Sequence, residues 1–314
     1  MELMEHFLFS GQSKIRFSPQ RHRSLIRLHG KYEPLAELLS PSKTQPEGEG
    51  AAMQLIRETQ EHGILRLMLD DNARRNALSM DMLGQLQTAL DQSAGDRAVR
   101  VIVLAATGPA FSAGHDLKEM TRAREAPDGG KAFFVETMAT CARVMQTIVN
   151  HPKPVIAEVT GVATAAGCQL VASCDLAYAA PTARFGTPGV NIGLFCSTPM
   201  VALSRNVSNK NAMEMLLAGD LIDAETAATI GLINRVVSEE TLSEYTMGVA
   251  AKIASKSSMT LATGKQAFYR QREMTLAQAY EYTSQIMVEN MLKRDAEEGI
   301  NAFIEKRAPQ WQDQ

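Results

Sequence analysis

Downstream of residue 53, apolar and polar positions follow two different periods in turn. Ile64 to Leu69 is apolar except for Arg66, a short β run closed by the turn-forming Asp70-Asp71-Asn72. Ser79 stands where a helix cap belongs, ahead of Met82, Leu83, Leu86, Ala89 and Leu90, which share one helical face. Val99 to Ala105 is β-branched and almost wholly apolar, as a strand buried on both faces must be. Val155 to Val159 repeats that signature, and Leu176 to Ala180 gives a shorter run before Pro181. This alternation predicts an α/β layered core with both sheet faces covered.

After Glu239 the strand signals stop. Helical spacing covers Thr246 to Ile253, Leu261 to Arg270, Leu276 to Leu292 and Glu297 to Lys306. Leu276, Tyr280 and Met287 fall near one face of the third, and Ile300, Phe303 and Ile304 cluster on the last. Such a tail needs a surface to cover its apolar faces, supplied by its own core or by another subunit. The pattern divides the chain into an extension (1–52), an α/β core (53–245) and a helical region (246–314).

Composition sharpens the two ends of this picture. Residues 14 to 31 are rich in Arg, Lys, His and Ser, and residues 40 to 50 in Pro, Gly, Glu and Ser, which together bury too little apolar surface to order themselves. Arg16, Arg21, Arg23 and Arg27 suit a mitochondrial transit peptide, whereas Glu2 and Glu5 suit a disordered or mis-started extension ahead of Met53. Mitochondrial matrix and cytoplasm both stay open. A net charge of -3 leaves no basic field for nucleic acid, and no apolar run reaches the ~20 residues of a membrane span. The four cysteines lack metal-ligand or CxxC spacing, so reduced, buried thiols and no metal site are expected.

Candidate chemistry lies in two loops rich in small residues. The first is FSAGHDLKEM at 111–120, after the Val99 strand; the second is GVATAAGCQL at 161–170, after the Val155 strand. Small residues let the backbone approach a ligand closely, and a following helix start presents unpaired N–H groups. Two such donors aimed at one point would stabilise an oxygen that gains negative charge, as a thioester carbonyl does on becoming an enolate. The same residues also suit close helix–strand packing. Arg74 and Arg75, on the turn ahead of Ser79, suit a phosphate or simply solvent.

The ordered set of Asn76-Ala77-Leu78, FSAGHDLKEM, KPVIAEVTGVATAAGCQL (153–170), SCDLAYAAPTARFGTPGVNIG (173–193) and EGINAFIEKR (298–307) resembles the crotonase, or enoyl-CoA hydratase/isomerase, superfamily over nearly all of residues 53 to 314. The resemblance implies a spiral of ββα units followed by helices that build a homotrimer or a dimer of trimers. It implies oxyanion donors on the backbone N–H groups of His115 and Ala166. It implies an acyl-CoA thioester as ligand in lipid metabolism, with coenzyme A as part of the substrate and no permanently bound cofactor. CoA contacts carry over to Ala113, Asp116, Leu117 and Lys118, with Arg74 and Arg75 on the equivalent early turn. Phe303 and Lys306 match residues that reach a neighbouring subunit's CoA; a core aromatic and a surface lysine are the alternative.

The chain departs from the hydratase pattern at both catalytic carboxylates. Gln169 stands where the first glutamate is expected, and its amide takes up no proton near neutral pH. Gly189 stands at the second, and Ser197 where some relatives carry an aspartate. Three activities follow: enolate chemistry without a glutamate pair, acyl-CoA binding without catalysis, or hydration/isomerisation by other residues such as His115. Restoring Glu at 169 and 189 together is expected to raise hydration, provided the Gly189 loop accepts a side chain.

Overall fold

The computed structural model describes residues 54–314, so the leader or extension expected over 1–52 lies outside the described residues. The chain begins with an antiparallel hairpin of β1 (Ile56–Glu61) and β2 (Ile64–Leu69). A 3₁₀ turn at Asn72–Arg74 leads to α1 (Met80–Gly95), where Ser79 Oγ accepts the Met82 N–H. The five apolar positions read as one helical face are all buried there.

Four strand pairs then build two sheets at once. β3 (Val101–Ala106) continues to β4 (Ala110–Ser112), and β5 (Val155–Val159) to β6 (Val162–Thr164). β7 (Leu176–Ala179) continues to β8 (Arg184–Gly186), after α2 (Leu117–Ala123), α3 (Lys131–Asn150) and α4 (Ala166–Ser173) have intervened. Beyond α5 (Pro199–Leu203) and α6 (Asn209–Ala218), β9 (Ile222–Asp223), α7 (Ala224–Thr229) and β10 (Arg235–Val236) close the pattern. The first sheet runs β1-β2-β3-β5-β7-β10 and the second β4-β6-β8-β9. Each successive unit therefore adds one strand to each sheet, which is the ββα spiral.

The central strands read as uninterrupted apolar runs because helices cover both faces of the first sheet. Leu67, Leu104, Ala157 and Val159 pack with α1 and α3 on one side. Val101, Val103, Ile156 and Tyr178 pack with α8 (Leu242–Ala254) on the other. The expected division at 245/246 thus falls inside a helix that covers the sheet, and the free helical tail starts later. It comprises α9 (Ser258–Gln271), α10 (Leu276–Met291) and α11 (Arg294–Glu305).

A buried cation fastens the tail to the spiral. Lys265 Nζ on α9 meets Asp175 Oδ2 at 2.7 Å and donates to the carbonyls of Ile148 and Lys153 at 2.9 and 3.1 Å. Asp175 also accepts from the Val155 N–H and from the Tyr269 hydroxyl, so it joins β5, β7 and α9. That assigns Asp175 a structural role. The tail also leaves a wide apolar surface, including Leu276, Tyr280, Met287, Leu292, Phe303 and Ile304.

Candidate oxyanion and acyl-CoA site

Asn76 organises the turn from which the site is built. Its backbone is left-handed, with φ 51°. Its side chain accepts from the Asp71 N–H and donates to the carbonyls of Thr107 and Ala110 at 2.9 and 2.7 Å. That ties the early turn to the β3–β4 crossing. Such an αL asparagine is a conformational signal in the sequence, since Asn tolerates φ > 0 better than other side-chain-bearing residues.

The first loop is threaded between its neighbours by backbone bonds. The Leu78 N–H donates to Gly114 O at 2.7 Å and the Ala113 N–H to Arg75 O at 3.1 Å. Thr164 Oγ1 of the second loop donates to Ala113 O at 3.2 Å. Gly114 has φ +87°, and a Cβ there would stand 3.0 Å from Ala165 Cβ and 3.3 Å from the Ala166 nitrogen. A Cβ on Gly167 would stand 2.3 Å from Ser112 O. Glycine is required at both points because the two loops touch backbone to backbone.

This contact brings the N–H groups of His115 and Ala166 into one neighbourhood, and among the described residues neither has an acceptor. Ala166 opens α4, where the first N–H groups have no partner within the helix. Ala165 before it holds φ 50° and ψ -117°, a strained conformation for a residue with a Cβ, fixed by its own N–H donating to Gly186 O at 2.9 Å.

The side chains around the loops are mostly committed. Asp116 caps α2 through the N–H groups of Lys118 and Glu119, and Glu119 accepts the Met80 N–H. His115 Nδ1 meets Leu78 O at 3.3 Å, which makes Nδ1 the protonated nitrogen, and its buried Nε2 has no partner. Burial holds the His115 pKa below its usual value, the Leu78 bond opposing it only in part. Gln169 is 5% exposed and its Oε1 has no donor; Thr187 Oγ1, buried beside Gly186, is also unpaired. Arg74 Nε lies 2.6 Å from Asp71 Oδ2, and its Nη1 3.6 Å from Asp116 Oδ2, so the two carboxylates compete with any phosphate for it. Arg75 takes the αL cap of the 3₁₀ turn.

Elsewhere the candidates separate. Leu117 and Lys118 are exposed and line a surface groove of about 510 Å³ with Thr121, Arg122 and Glu125. Ser197 is exposed, its hydroxyl donating to Phe195 O at 3.3 Å. Phe303, 85% exposed on α11, is no core aromatic within this chain, and Lys306 forms the αL cap of the same helix. The four cysteines are free and buried. Among the described residues no cluster of His, Cys, Asp and Glu fits a metal, and no helix is long and apolar enough to cross a membrane.

Gly189 overturns the expected repair of the hydratase pair. It is buried in the 3₁₀ turn Pro188–Ile192, and a Cβ would stand 2.6 Å from Leu194 O and 2.8 Å from Cys196 Sγ. Cys196 Sγ crowds the point where a side chain on Gly189 would begin, and burial raises its pKa, so it is a poor nucleophile.

A two-sheet spiral with two small-residue loops meeting at a helix start is the crotonase architecture. The chain belongs to the enoyl-CoA hydratase/isomerase family, whose model matches residues 59–314. Rat "Enoyl-CoA hydratase domain-containing protein 3, mitochondrial" is 48% identical over 276 residues, covering 88% of this chain and 90% of the relative. The crystal structure of human enoyl-CoA hydratase domain-containing protein 3 aligns with a TM-score of 0.79 at 48% identity, covering 82% of this chain and all of that one. The Escherichia coli 2,3-dehydroadipyl-CoA hydratase is 32% identical, over 78% of this chain and 94% of its own.

Proposed function

We propose that the chain binds acyl-CoA thioesters and polarises the thioester carbonyl between the N–H groups of His115 and Ala166, supporting enolate chemistry that needs no carboxylate pair. The observation that supports this reading is the contact of Gly114 with Ala165 and Ala166, next to two N–H groups that have no acceptor among the described residues. Preorganised donors of this kind typically contribute ~10²–10³-fold each, without any titrating group. The groove at Leu117 and Lys118 holds part of the CoA, with Ala113, Asp116 and the Arg74–Arg75 turn beside it. Phe303 and Lys306 reach the CoA of a neighbouring subunit in a trimer or dimer of trimers. The relatives' names carry the word mitochondrial, which favours a mitochondrial over a cytoplasmic location.

The test pairs equilibrium binding of crotonyl-CoA with its hydration. Measurable binding with hydration far below the ordinary ~10 s⁻¹ of enzymes is expected. Hydration at that ordinary rate would favour the second reading, a hydratase using other residues, which the hydratase names of several relatives support. Binding without any turnover across acyl-CoA thioesters would leave a non-catalytic binder.

A further inference from the structure

The last helix is held to the chain by something other than an apolar core. Of the 12 residues of α11 only Asp295 and Ala302 are buried, while Ile300, Phe303 and Ile304 are 48%, 85% and 70% exposed. A helix this short takes its stability and its direction from what it packs against. Its own apolar face offers little of that within this chain.

Residues 307–314 supply the attachment. Lys306, with φ 56°, turns the chain out of α11, and the segment then runs back along the helix. The Gln310 N–H donates to Glu298 Oε1 at 2.7 Å, and the buried carboxylate of Asp295 accepts the N–H groups of Gln312 and Asp313 at 2.7 and 2.9 Å. The Asp295 N–H donates to Gln314 O in return. The indole of Trp311 lies against Gly299, 3.1 Å from where a Cβ there would stand. The other side of the segment grips the core. Trp311 Nε1 donates to Ser255 O at 2.8 Å, and the Asp313 carboxylate accepts the Ser258 N–H at 2.6 Å and Arg100 Nη1 at 3.1 Å. Arg100, just ahead of β3, also donates to the carbonyls of Ala254 and Lys256, both at 2.7 Å. One short segment therefore joins α11 to the α8–α9 junction and to the first sheet.

We propose that residues 307–314 form a strap that sets the direction of α11, with Asp295, Trp311 and Asp313 as positioning residues for the ligand contacts of Phe303 and Lys306. This rests on the acyl-CoA reading above. At ~1.5 Å per residue Phe303 stands about 12 Å along the axis from Asp295, so a tilt of ~20° at the strap moves it by about 4 Å. A displacement of that size separates groups that must meet at packing distance.

The experiment titrates acetyl-CoA into the full chain by calorimetry, with light scattering and thermal melting on the same samples. Trp311→Ala and Asp313→Ala should each weaken binding ~10-fold at unchanged mass. Asp313→Asn, which keeps an acceptor for the Ser258 N–H, should bind as the unaltered chain does. Phe303→Ala should weaken binding on its own and add little to Trp311→Ala, because the strap acts through Phe303. Asp313→Ala carries the test by itself if Trp311→Ala melts too early to titrate. Tight binding by both strap variants overturns the strap and leaves the acyl-CoA reading standing. Losses from Phe303→Ala and Trp311→Ala that multiply in full overturn the positioning role, as does a fall in mass that accompanies the weaker binding. Failure of the unaltered chain to bind acetyl-CoA overturns both readings together.

Discussion

Cys196 Sγ stands 2.8 Å from the point where a side chain on Gly189 would begin. The thiol therefore crowds any side chain that starts at Gly189, and Leu194 O closes the remaining approach at 2.6 Å. Sterics therefore oppose any side chain at this position.

Gly189→Glu, alone or with Gln169→Glu, should destabilise the chain and restore no hydration. Overpacking of this kind costs about 1–3 kcal/mol. A thermal melt should show the loss, and Cys196→Ala should recover only part of it because Leu194 O remains. A stable double variant that hydrates crotonyl-CoA would contradict the geometry.

Gly114→Ala should impair the site and the fold together, since the added methyl would press on Ala165 and the Ala166 nitrogen at a φ that disfavours any Cβ. Losing one oxyanion donor lowers turnover ~10²–10³-fold. Retained turnover, measured on whichever thioester proves to be a substrate, would separate the loop contact from catalysis.

Lys265→Met should cost about 3–5 kcal/mol, because it strands the Asp175 carboxylate beside β5 and α9. Denaturant titration reads this directly. Phe268→Ala, at an exposed position on the same helix, serves as the comparison.

Acidification should destabilise the chain through two histidines. Burial is the first cause that lowers both His115 and His151 below their ordinary 6.5, and the Lys265 and Lys153 charges lower His151 further. The geometry agrees: His151 Nε2 meets Leu90 O at 3.0 Å, while its Nδ1 accepts the Lys153 N–H and cannot also carry a proton. The unfolded chain therefore binds more protons between the folded pKa values and 6.5, so stability is present above that range and is lost as pH falls through it. His151→Gln should flatten the pH dependence of the midpoint; an unchanged slope would place the proton uptake elsewhere.

The apolar tail surface predicts self-association. Light scattering at micromolar concentration should give a trimer or twice that mass, and Leu292→Asp on the exposed end of α10 should lower it. A monomeric mass for the unaltered chain would remove any contribution of Phe303 and Lys306 to a neighbour's site.

The strands at Ile64, Val101 and Val155 and the capped helix at Ser79 were legible because local period and burial coincide there: an apolar run is a strand only when both its faces are covered. α3 escaped that reading, although Thr137, Cys141, Val144, Met145 and Ile148 keep helical spacing and are buried. The three-residue strands β4, β6 and β8 are too short to show any period. The small-residue loops, the loss of both carboxylates and the family resemblance were all present in the residues themselves. Only the tertiary structure decided that Gly114 touches Ala166, that Arg74 faces two carboxylates, and that Cys196 fills the space beside Gly189. Those are contacts between segments distant in the chain, set by backbone approach and packing, and no local pattern encodes a distance between such segments.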